Sequence, residues 1–229
     1  MTTKKQKAAA IIVAAGEGKR MGGIDKVFTL IGGESVLVRS TRPFQQCKLI
    51  DQIVVVVSGE NEKKCRRLIA GEEWSKVSDV CVGGKRRQDS VAAGLELLRY
   101  CDWVVIHDGA RPLVTVDLIE RGLQAARETG AAVAAVDVKD TIKLVDDNGT
   151  VSQTLSRQNL RAVQTPQVFR VDLLQLAHRQ HYRNVTDDAA MVEKMGHKVK
   201  LYQGSYDNIK ITTPEDLILA EELIKRNEK

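Results

Sequence analysis

The sequence predicts an α/β fold in which helices cover both faces of a mostly parallel sheet. Apolar segments rich in Val and Ile recur along the chain, and segments with the apolar spacing of helices separate them. Continuous apolar strands that alternate with helices are typical of a parallel sheet buried on both faces. The 229 residues, 43% of them hydrophobic, are enough for one sizeable core but hardly for two. We therefore expect a single α/β domain.

Predicted strands and helices alternate through the first 140 residues. The strands, each a run of small or β-branched apolar residues, are Ala8–Ala14, Ile53–Val57, Val77–Val82, Trp103–Ile106 and Ala131–Val138. The helices are Ser35–Thr41, Glu60–Ala70, Gln88–Tyr100 and Val116–Thr129. Thr115 is the expected N-cap of the fourth helix, which should end near Gly130. Pro43 predicts a break or a kink where the first helix could otherwise have continued.

The pattern changes after residue 138, where a β-hairpin is predicted. The stretch from Thr141 to Leu155 alternates around Asn148-Gly149, a dipeptide suited to a two-residue turn. With that turn, one face of the hairpin would carry the apolar residues Ile142, Leu144, Val151 and Leu155. A two-stranded hairpin is barely stable alone, so this face must pack on the body of the chain or on a second copy.

Helices and a strand resume in the C-terminal part. The sequence predicts helices near Val171–Tyr182 and Asp187–Met195, and a strand at Lys198–Tyr202. A last helix should start at Thr213, because this hydroxyl cap is followed by Pro214 and by two acidic residues.

Charge and composition exclude several functional classes. The net charge of +5 is small and the signs are interspersed, whereas a nucleic-acid binder gathers its cations into a stripe. The longest apolar run, Ala8 to Ala15, is too short to span a bilayer. Four cysteines without a CxxC pair or a nearby His are typical of reduced thiols. We expect a soluble, cytoplasmic protein that binds small phosphorylated molecules rather than nucleic acid or membrane.

A glycine-rich loop directly follows the first strand. The segment from Ala14 to Gly18 is small enough for its backbone to approach a ligand, and Arg20 and Lys26 follow it. Loops at the carboxyl ends of parallel strands commonly bind phosphates. The loop lacks the dinucleotide fingerprint, because Met21 occupies the place of its third glycine, and it lacks the Lys-Ser/Thr of a P-loop. A plain turn is the alternative, and the two cations favour phosphate.

A second candidate site lies where the fourth strand ends. Asp108 would stand at the carboxyl end of this strand, where a carboxylate can hold Mg²⁺ against the phosphates of a nucleotide. An Asp before a Gly is also common in turns, so this residue alone leaves both interpretations open. We interpret His107 as a packed residue, since no His or Cys stands at ligand spacing from it.

Two further polar clusters, residues 83–90 and 207–210, adjoin predicted helices. The first contains two glycines and three consecutive basic residues, which is also common in a charged loop before a helix. The second contains Asp207 and Lys210, which suit a metal and a phosphate but equally a surface ion pair. Neither cluster is specific by itself.

Together these motifs resemble the 2-C-methyl-D-erythritol 4-phosphate cytidylyltransferase family of non-mevalonate isoprenoid synthesis, over essentially the whole chain. The motifs are AAGEGKRM (14–21) with Lys26, GGKRRQDSV (83–91), HDGARP (107–112), DTIK (140–143), SRQNLRAVQTPQVF (156–169) and DNIKITTPEDL (207–217). Several independent motifs in the same order make a chance similarity implausible. The resemblance implies a single Rossmann-like domain of the nucleotidyltransferase type over residues 1–229, with a protruding β-hairpin arm at 139–157.

The resemblance also implies an activity, the transfer of the cytidylyl group of CTP to 2-C-methyl-D-erythritol 4-phosphate with release of pyrophosphate. Arg20 and Lys26 would be the catalytic cations, and Asp108 and Asp207 would position Mg²⁺ or another divalent metal. The implied nucleotide-binding residues are Ala14, Ala15, Gly16, Glu17, Gly18, Gly84, Lys85, Ser90 and Gly109. The implied residues for the methylerythritol phosphate are Arg111, Thr141, Arg157 and Lys210. In the family, Arg157 comes from the arm of the neighbouring subunit, which implies a homodimer.

Two positions depart from the family pattern. Lys26 stands between Asp25 and Val27, where the family commonly has Pro or Asn before the lysine and Gln after it. Lys85 stands where an acid is often found. The resemblance therefore constrains these two loops least.

Two other functions compete with this interpretation. A sister cytidylyltransferase for ribitol or ribulose 5-phosphate shares the HDxxRP, TPQ and NIKITTP elements, but its relatives tend to have Ala-Gly-Gly where this chain has Ala14-Ala15-Gly16. A non-catalytic nucleotide-binding module could have the same fold, since fold does not determine function. The presence of all the expected cations and acids favours an enzyme.

Overall fold

The computed structural model describes residues 6–16, 25–180, 182 and 185–227. Within them the strands are β1 (Ala8–Ala14), β2 (Leu30–Ile31), β3 (Glu34–Ser35), β4 (Ile50–Val57), β5 (Val77–Val82), β6 (Trp103–Asp108), β7 (Ala131–Asp137), β8 (Lys143–Val145), β9 (Val151–Thr154), β10 (Arg161–Arg170) and β11 (Lys200–Gln203). The helices are α1 (Val36–Gln46), α2 (Glu62–Gly71), α3 (Arg87–Glu96), α4 (Val116–Thr129), α5 (Val171–Arg179), α6 (Asp188–Lys194) and α7 (Pro214–Asn227).

A seven-stranded sheet in the order β11-β7-β10-β6-β1-β4-β5 organises the molecule. Six of these strands run parallel to one another, and β10 runs antiparallel between β6 and β7. The predicted mostly parallel α/β sheet is thereby confirmed. From β1 the chain adds β4 and β5 on one side and then returns to place β6 on the other. The crevice at the carboxyl ends of β1 and β6 is therefore the topological switch point, where such sheets bind ligands.

Alternate residues of each strand point to opposite faces of the sheet, and both faces are buried. Ile12 and Val105 belong to a cluster that includes residues of α1, α2 and α4. Ile11 and Val104 belong to a cluster that includes residues of α3, α5 and α6. A separate small cluster, with Ile31 in it, joins α7 to the short β2–β3 hairpin. This arrangement explains the continuous apolar runs of the strands.

Strand β10 has no counterpart among the predicted strands. Its sequence combines Pro166 with polar residues that the fold buries, Gln164, Thr165 and Gln167. The ladder to β7 skips from Val163 to Gln167, across the proline, which has no N–H to donate. A proline within an apolar run ordinarily argues against a central strand, and that is why the sequence pattern did not predict this one.

Of the break or kink predicted at Pro43, the break is wrong, because α1 continues to Gln46. Pro43 lies inside the helix, and the residues around it pack into the core: Thr41 and Phe44 are wholly buried. Packing of a buried face contributes most of the stability of a helix in a protein, so it can offset the loss of one hydrogen bond.

Strands β8 and β9 form the predicted antiparallel hairpin, with every residue of both strands exposed. The predicted two-residue turn is wrong. The Asp146 N–H donates to the Thr150 carbonyl (2.9 Å) and the Gly149 N–H to the Asp146 carbonyl (3.0 Å), and Gly149 has a φ of 78°. The Asp146 carboxylate accepts the N–H groups of Asn148 and Thr150, which stabilises this longer turn.

The pairing of the two hairpin strands is irregular beside this turn. Val145 pairs with Val151 and Leu144 pairs with Gln153, so the register shifts between Leu144 and Val145. Such a shift leaves one extra residue in β9 and interrupts the strict alternation of faces. The prediction that Leu144 and Val151 share one apolar face therefore stays a prediction, and both side chains are exposed.

Two expectations from composition concern the described residues. Among them, no helix is long and apolar enough to cross a membrane. All four cysteines are free thiols, and the two in the core, Cys47 and Cys65, are buried.

Candidate active site

Small residues line the floor of the crevice between β1 and β6. The Gly109 N–H donates to the Val13 carbonyl (2.8 Å), and a Cβ at Gly109 would lie only 2.9 Å from the Cβ of Ala14. Gly83 approaches Ala15 in the same way, with 2.6 Å between a Cβ at Gly83 and the Cβ of Ala15. The ends of β1, β5 and β6 therefore approach one another closely only because these residues are small.

The segment after β5 turns tightly into α3. A Cβ at Gly84 would lie 2.3 Å from the Cβ of Asp89, so a side chain does not fit there. Ser90 is buried, and its hydroxyl oxygen lies 3.3 Å from the Arg86 carbonyl and 3.4 Å from that of Gly84. Ser90 thus helps to hold the glycine segment, whereas Lys85 is exposed.

Asp108, the last residue of β6, lies at the centre of a cluster of three cations. Lys210 Nζ is 2.8 Å from its Oδ2 and Arg111 Nε is 3.5 Å from the same oxygen. Arg87 Nε donates to Oδ1 at 3.3 Å. The Asp108 side chain is 9% exposed and that of Lys210 is 38% exposed, so the lysine is the member of this cluster most open to a ligand. We call these four residues the Asp108 cluster.

The charges of the cluster determine the protonation of Asp108. Burial by itself would raise the pKa of its carboxyl, but the three cations outweigh burial and hold that pKa well below its usual range. Asp108 is therefore an anion across the physiological pH range.

A hydrogen-bonded chain fixes the backbone beneath Asp108. The Asp108 N–H donates to Thr165 Oγ1 (3.0 Å), and the Thr165 hydroxyl lies 3.0 Å from His107 Nδ1. His107 Nε2 lies 3.2 Å from the Arg111 carbonyl, which can only accept. We assign the proton of the imidazole to Nε2 from this network. Burial lowers the pKa of His107 to about 3, so the ring is neutral. The prediction that His107 is a packed residue agrees with this arrangement.

The segment before α7 docks onto the end of β6. Arg111 Nη1 donates to the Asn208 carbonyl (2.7 Å), and the Ile211 N–H donates to the Ala110 carbonyl (2.8 Å). Asn208 Nδ2 donates to the Thr165 carbonyl (2.8 Å). Arg111, predicted to bind substrate, has a side chain only 11% exposed, and these contacts orient it within the cluster.

The two predicted metal ligands have different surroundings. Asp108 belongs to the cluster, whereas the carboxylate of Asp207 pairs with Arg226 of α7. Among the described residues, no group of three or more His, Cys, Asp or Glu side chains converges on one point. A divalent ion would therefore need phosphate oxygens and water as its other ligands, which is the usual coordination of Mg²⁺ beside nucleotides. Asp108 fits such an ion, because it is ionised and a carboxylate keeps further lone pairs beside its contacts.

Thr141 and Arg157 lie at the base of the β8–β9 hairpin, and both are exposed. Arg157 Nη1 donates to the Lys139 carbonyl (2.8 Å). In the part of the chain that the structure describes, neither residue contacts the Asp108 cluster. Arg157 lines a cavity of about 560 Å³ together with Lys139, Arg161 and Tyr206. Asp137 also lines this cavity and pairs with Arg161 (3.1 Å), so three cations face one acid, an excess of positive charge that suits an anionic ligand.

The predicted catalytic cations and the predicted glycine-rich loop lie only partly within the described residues. Glu17, Gly18 and Arg20 lie outside the described residues. Lys26 lies in a turn before β2, where it is half-buried and already interacts with other groups of the protein.

The sequence pattern did not single out two residues of the site, Arg87 and Asp188. Arg87 was only one of three consecutive basic residues, and nothing in the pattern distinguishes it from Lys85 and Arg86. Asp188 follows Asp187, which caps α6 by accepting the Ala190 N–H (2.9 Å). The structure shows that Arg87 and Asp188 form a buried ion pair.

Comparisons with known proteins agree with these features. A family model described as 2-C-methyl-D-erythritol 4-phosphate cytidylyltransferase matches residues 8–226. Curated proteins of that name from Dehalococcoides mccartyi and Alkaliphilus oremlandii are 51% and 46% identical to the chain, over 96% of it and 97% and 95% of their own lengths.

Solved structures agree as well. The 4-diphosphocytidyl-2C-methyl-D-erythritol synthase of Anaerococcus prevotii superimposes with a TM-score of 0.85 at 31% identity, covering 97% of this chain and all of that one. The 2-C-methyl-D-erythritol 4-phosphate cytidylyltransferase of Thermus thermophilus superimposes with a TM-score of 0.77 at 33% identity, covering 96% of this chain and 99% of that one.

Proposed function

Since this chain belongs to the 2-C-methyl-D-erythritol 4-phosphate cytidylyltransferase family and transfers the cytidylyl group of CTP to that substrate, we propose that the reaction occurs by direct in-line attack in the crevice between β1 and β6. A phosphate oxygen of the substrate forms a bond to the α-phosphorus of CTP, and the bond to the pyrophosphate breaks. The observation that supports this proposal most strongly is the Asp108 cluster, an ionised carboxylate that orients three cations at the switch point of the sheet.

The proposed reaction needs no general base. The phosphate of the substrate is already ionised near neutral pH, so catalysis consists of alignment and neutralisation of charge. In our proposal Asp108 orients the Lys210 ammonium, whose partly exposed side chain contacts substrate phosphate. Arg20 and Lys26 stabilise the charge that develops on the α-phosphate and on the pyrophosphate.

The nucleotide is proposed to bind along the glycine-rich segments. The backbone from Ala14 to Gly18 approaches the triphosphate, and the segment containing Gly84 and Ser90 encloses the base. Gly109 lies beside Ala14. The two glycines support this proposal, because a Cβ at Gly84 or Gly109 would press on the side chain of Asp89 or Ala14 and push these segments apart.

Mg²⁺ or another divalent ion is proposed to enter with the triphosphate. Asp108 would hold it, with Asp207 as the second acid once its pair with Arg226 opens. When bound, such an ion neutralises charge on the phosphates.

We further propose a cytoplasmic homodimer joined through the arm at residues 139–157. The arm exposes the apolar side chains of Leu144, Val145 and Val151, and a partner subunit would cover them. Thr141 and Arg157 would then bind the methylerythritol phosphate in the partner's crevice.

A paired assay tests substrate choice. With CTP and Mg²⁺, methylerythritol phosphate and ribitol 5-phosphate are supplied together, and both cytidylylated products are quantified by mass spectrometry. We expect the methylerythritol product with release of pyrophosphate. Exclusive turnover of the pentitol would contradict the assignment, and CTP binding without pyrophosphate release would indicate a non-catalytic module.

Two alanine variants test the catalytic cations. Arg20→Ala and Lys26→Ala should each lower kcat on the order of 10²-fold or more, while CTP binding measured by calorimetry stays close to that of the wild type. Near-wild-type turnover in either variant would remove that residue from the mechanism.

A further inference from the structure

We infer that Arg87 is a positioning residue for Asp108 and that Asp188 holds Arg87 in place. Arg87 is the first residue of α3 and contacts two acids from two other elements. Its Nε donates to Asp108 Oδ1 at 3.3 Å, and its Nη1 donates to Asp188 Oδ2 on α6. A guanidinium has a rigid planar fork of donors, so contacts at two of its nitrogens fix its orientation.

The contact with Asp188 differs in kind from a surface ion pair. The Asp188 side chain is wholly buried, and that of Arg87 is 25% exposed. Burial by itself would raise the pKa of Asp188, but Arg87 and His178 outweigh it and keep the carboxyl ionised. His178 Nε2 lies 3.4 Å from Asp188 Oδ1, on the other side of the carboxylate. A buried charge that loses its partner is strongly unfavourable, so Arg87 has little freedom to leave this acid.

The two oxygens of Asp108 contact different cations. Arg87 contacts Oδ1, whereas Oδ2 contacts Lys210 at 2.8 Å and Arg111 at 3.5 Å. With Oδ1 held from the side of α6, the carboxylate keeps Oδ2 directed at Lys210. We therefore expect Arg87 to determine where the Lys210 ammonium lies, although Arg87 itself does not touch substrate.

Asp188 also adjusts the charge of the site. Arg87, Arg111 and Lys210 contribute three positive charges, and Asp108 alone contributes one negative charge. Asp188 neutralises one of the remaining two, at the Arg87 guanidinium. The excess positive charge is thus concentrated at Lys210 and Arg111, beside the docked 207–211 segment.

Steady-state kinetics of Arg87 and Asp188 variants test the inference. Arg87→Gln should lower kcat roughly 10- to 100-fold with little change in the KM for CTP, because a displaced catalytic group affects the chemical step. Arg87→Lys should restore only part of the loss, since one ammonium cannot contact both acids as the fork does. Asp188→Asn should lower kcat in the same direction, and the double variant R87Q/D188N should be no worse than R87Q alone.

Two controls separate positioning from folding. R87M/D188L replaces the buried pair with apolar side chains, a change that buried ion pairs often tolerate, so this variant should fold and still have the low kcat of R87Q. Arg170→Gln removes an exposed arginine that pairs with Asp172 and lies beside Trp103, at the end of β6 away from the site, and should leave kcat unchanged. Thermal unfolding of each variant verifies that it is folded.

Specific outcomes would overturn the inference. A raised KM for CTP at unchanged kcat would mean that Arg87 supports only the glycine segment, and a wild-type kcat in folded R87M/D188L would exclude any positioning role. The inference depends on the role proposed for Asp108, which Asp108→Asn tests separately. If D108N is inactive while R87Q is not, only this inference fails; if D108N is fully active, the proposed function of the cluster fails.

Discussion

The Asp108 cluster and the β8–β9 hairpin differ in how far their side chains are satisfied by contacts within the described chain. In the cluster, one chain supplies the carboxylate, three cations and the hydrogen-bonded chain beneath them. In the hairpin, Leu144, Val145 and Val151 are each more than half exposed, and no residue of either strand is buried. The cluster is thus assembled within one chain, whereas the described residues leave the apolar side chains of the hairpin uncovered.

The same contrast applies to the residues predicted to bind the methylerythritol phosphate. Arg111 and Lys210 contact Asp108 directly, whereas Arg157 contacts the carbonyl of Lys139 at the base of the hairpin. A substrate phosphate bound by both groups must therefore bridge the two regions. A homodimer with exchanged arms accounts for this arrangement and for the exposed apolar side chains together.

The largest effect is expected at the cluster. Lys210→Ala removes the cation most open to the crevice and should lower kcat on the order of 10²-fold or more, because a fixed charge that neutralises phosphate is lost. The fold should persist, since the ammonium is partly exposed. Pyrophosphate release measured at saturating CTP gives kcat, and a decrease of less than a few-fold would argue that the cluster is structural.

A smaller, concentration-dependent effect is expected at the hairpin. L144D/V151D places two charges among the exposed apolar side chains of the arm and should weaken the dimer, so that activity per subunit falls on dilution and recovers at high protein concentration. Ile218→Asp is the matched control, because Ile218 is 67% exposed on α7, outside the arm. Sedimentation velocity reports the oligomeric state. If both variants stay dimeric and equally active, the arm is not the interface.

The smallest effect is expected at His107, which supports the backbone beneath Asp108. It changes how the free energy of unfolding depends on pH. His107 is neutral with a pKa lowered to about 3, whereas an unfolded His titrates near 6.5. Its contribution is fully present above about pH 6.5 and is lost as the pH falls towards about 3, because the unfolded state then binds one proton more. In this window the unfolding free energy of the wild type should rise with pH.

His107→Gln removes this titration and is the matched variant. It should decrease the slope of unfolding free energy against pH by about 1.4 kcal/mol per pH unit between pH 4 and 6, as measured by urea unfolding. An unchanged slope would show that His107 binds its proton equally in both states.

The sequence predicts most of the sheet but not the strand with a proline. β1 and β6 are continuous apolar runs, and their pattern is sufficient to locate both strands and the small residues after them. β10 was missed because its interior holds Pro166 and buried polar groups, whose partners come from distant segments: Thr165 bonds to Asp108, and Gln167 to Asp187. Local pattern contains no information on such partners.

The sequence likewise identifies some residues of the candidate site and not others. Asp108 and Lys210 were identified through the family resemblance, because each motif by itself left a plain turn or a surface ion pair open, and the structure brings the two residues together. Arg87 was not distinguishable from Lys85, since the direction of a side chain at a helix start depends on what packs against it, here the buried Asp188. The hairpin turn was wrong for a related reason, because the Asp146 carboxylate selects a longer turn than Asn-Gly alone would form.

Subunit complementation tests most directly whether the site is divided between two chains. Lys210→Ala and Arg157→Ala are each expected to be nearly inactive; the two proteins are mixed, unfolded and refolded together at equal concentration. If the arm serves the partner's crevice, half of the dimers are mixed and each has one intact site, so activity should recover to about a quarter of the wild-type value. If the mixture stays as inactive as its components, each arm serves its own chain, and the account of a shared site is contradicted.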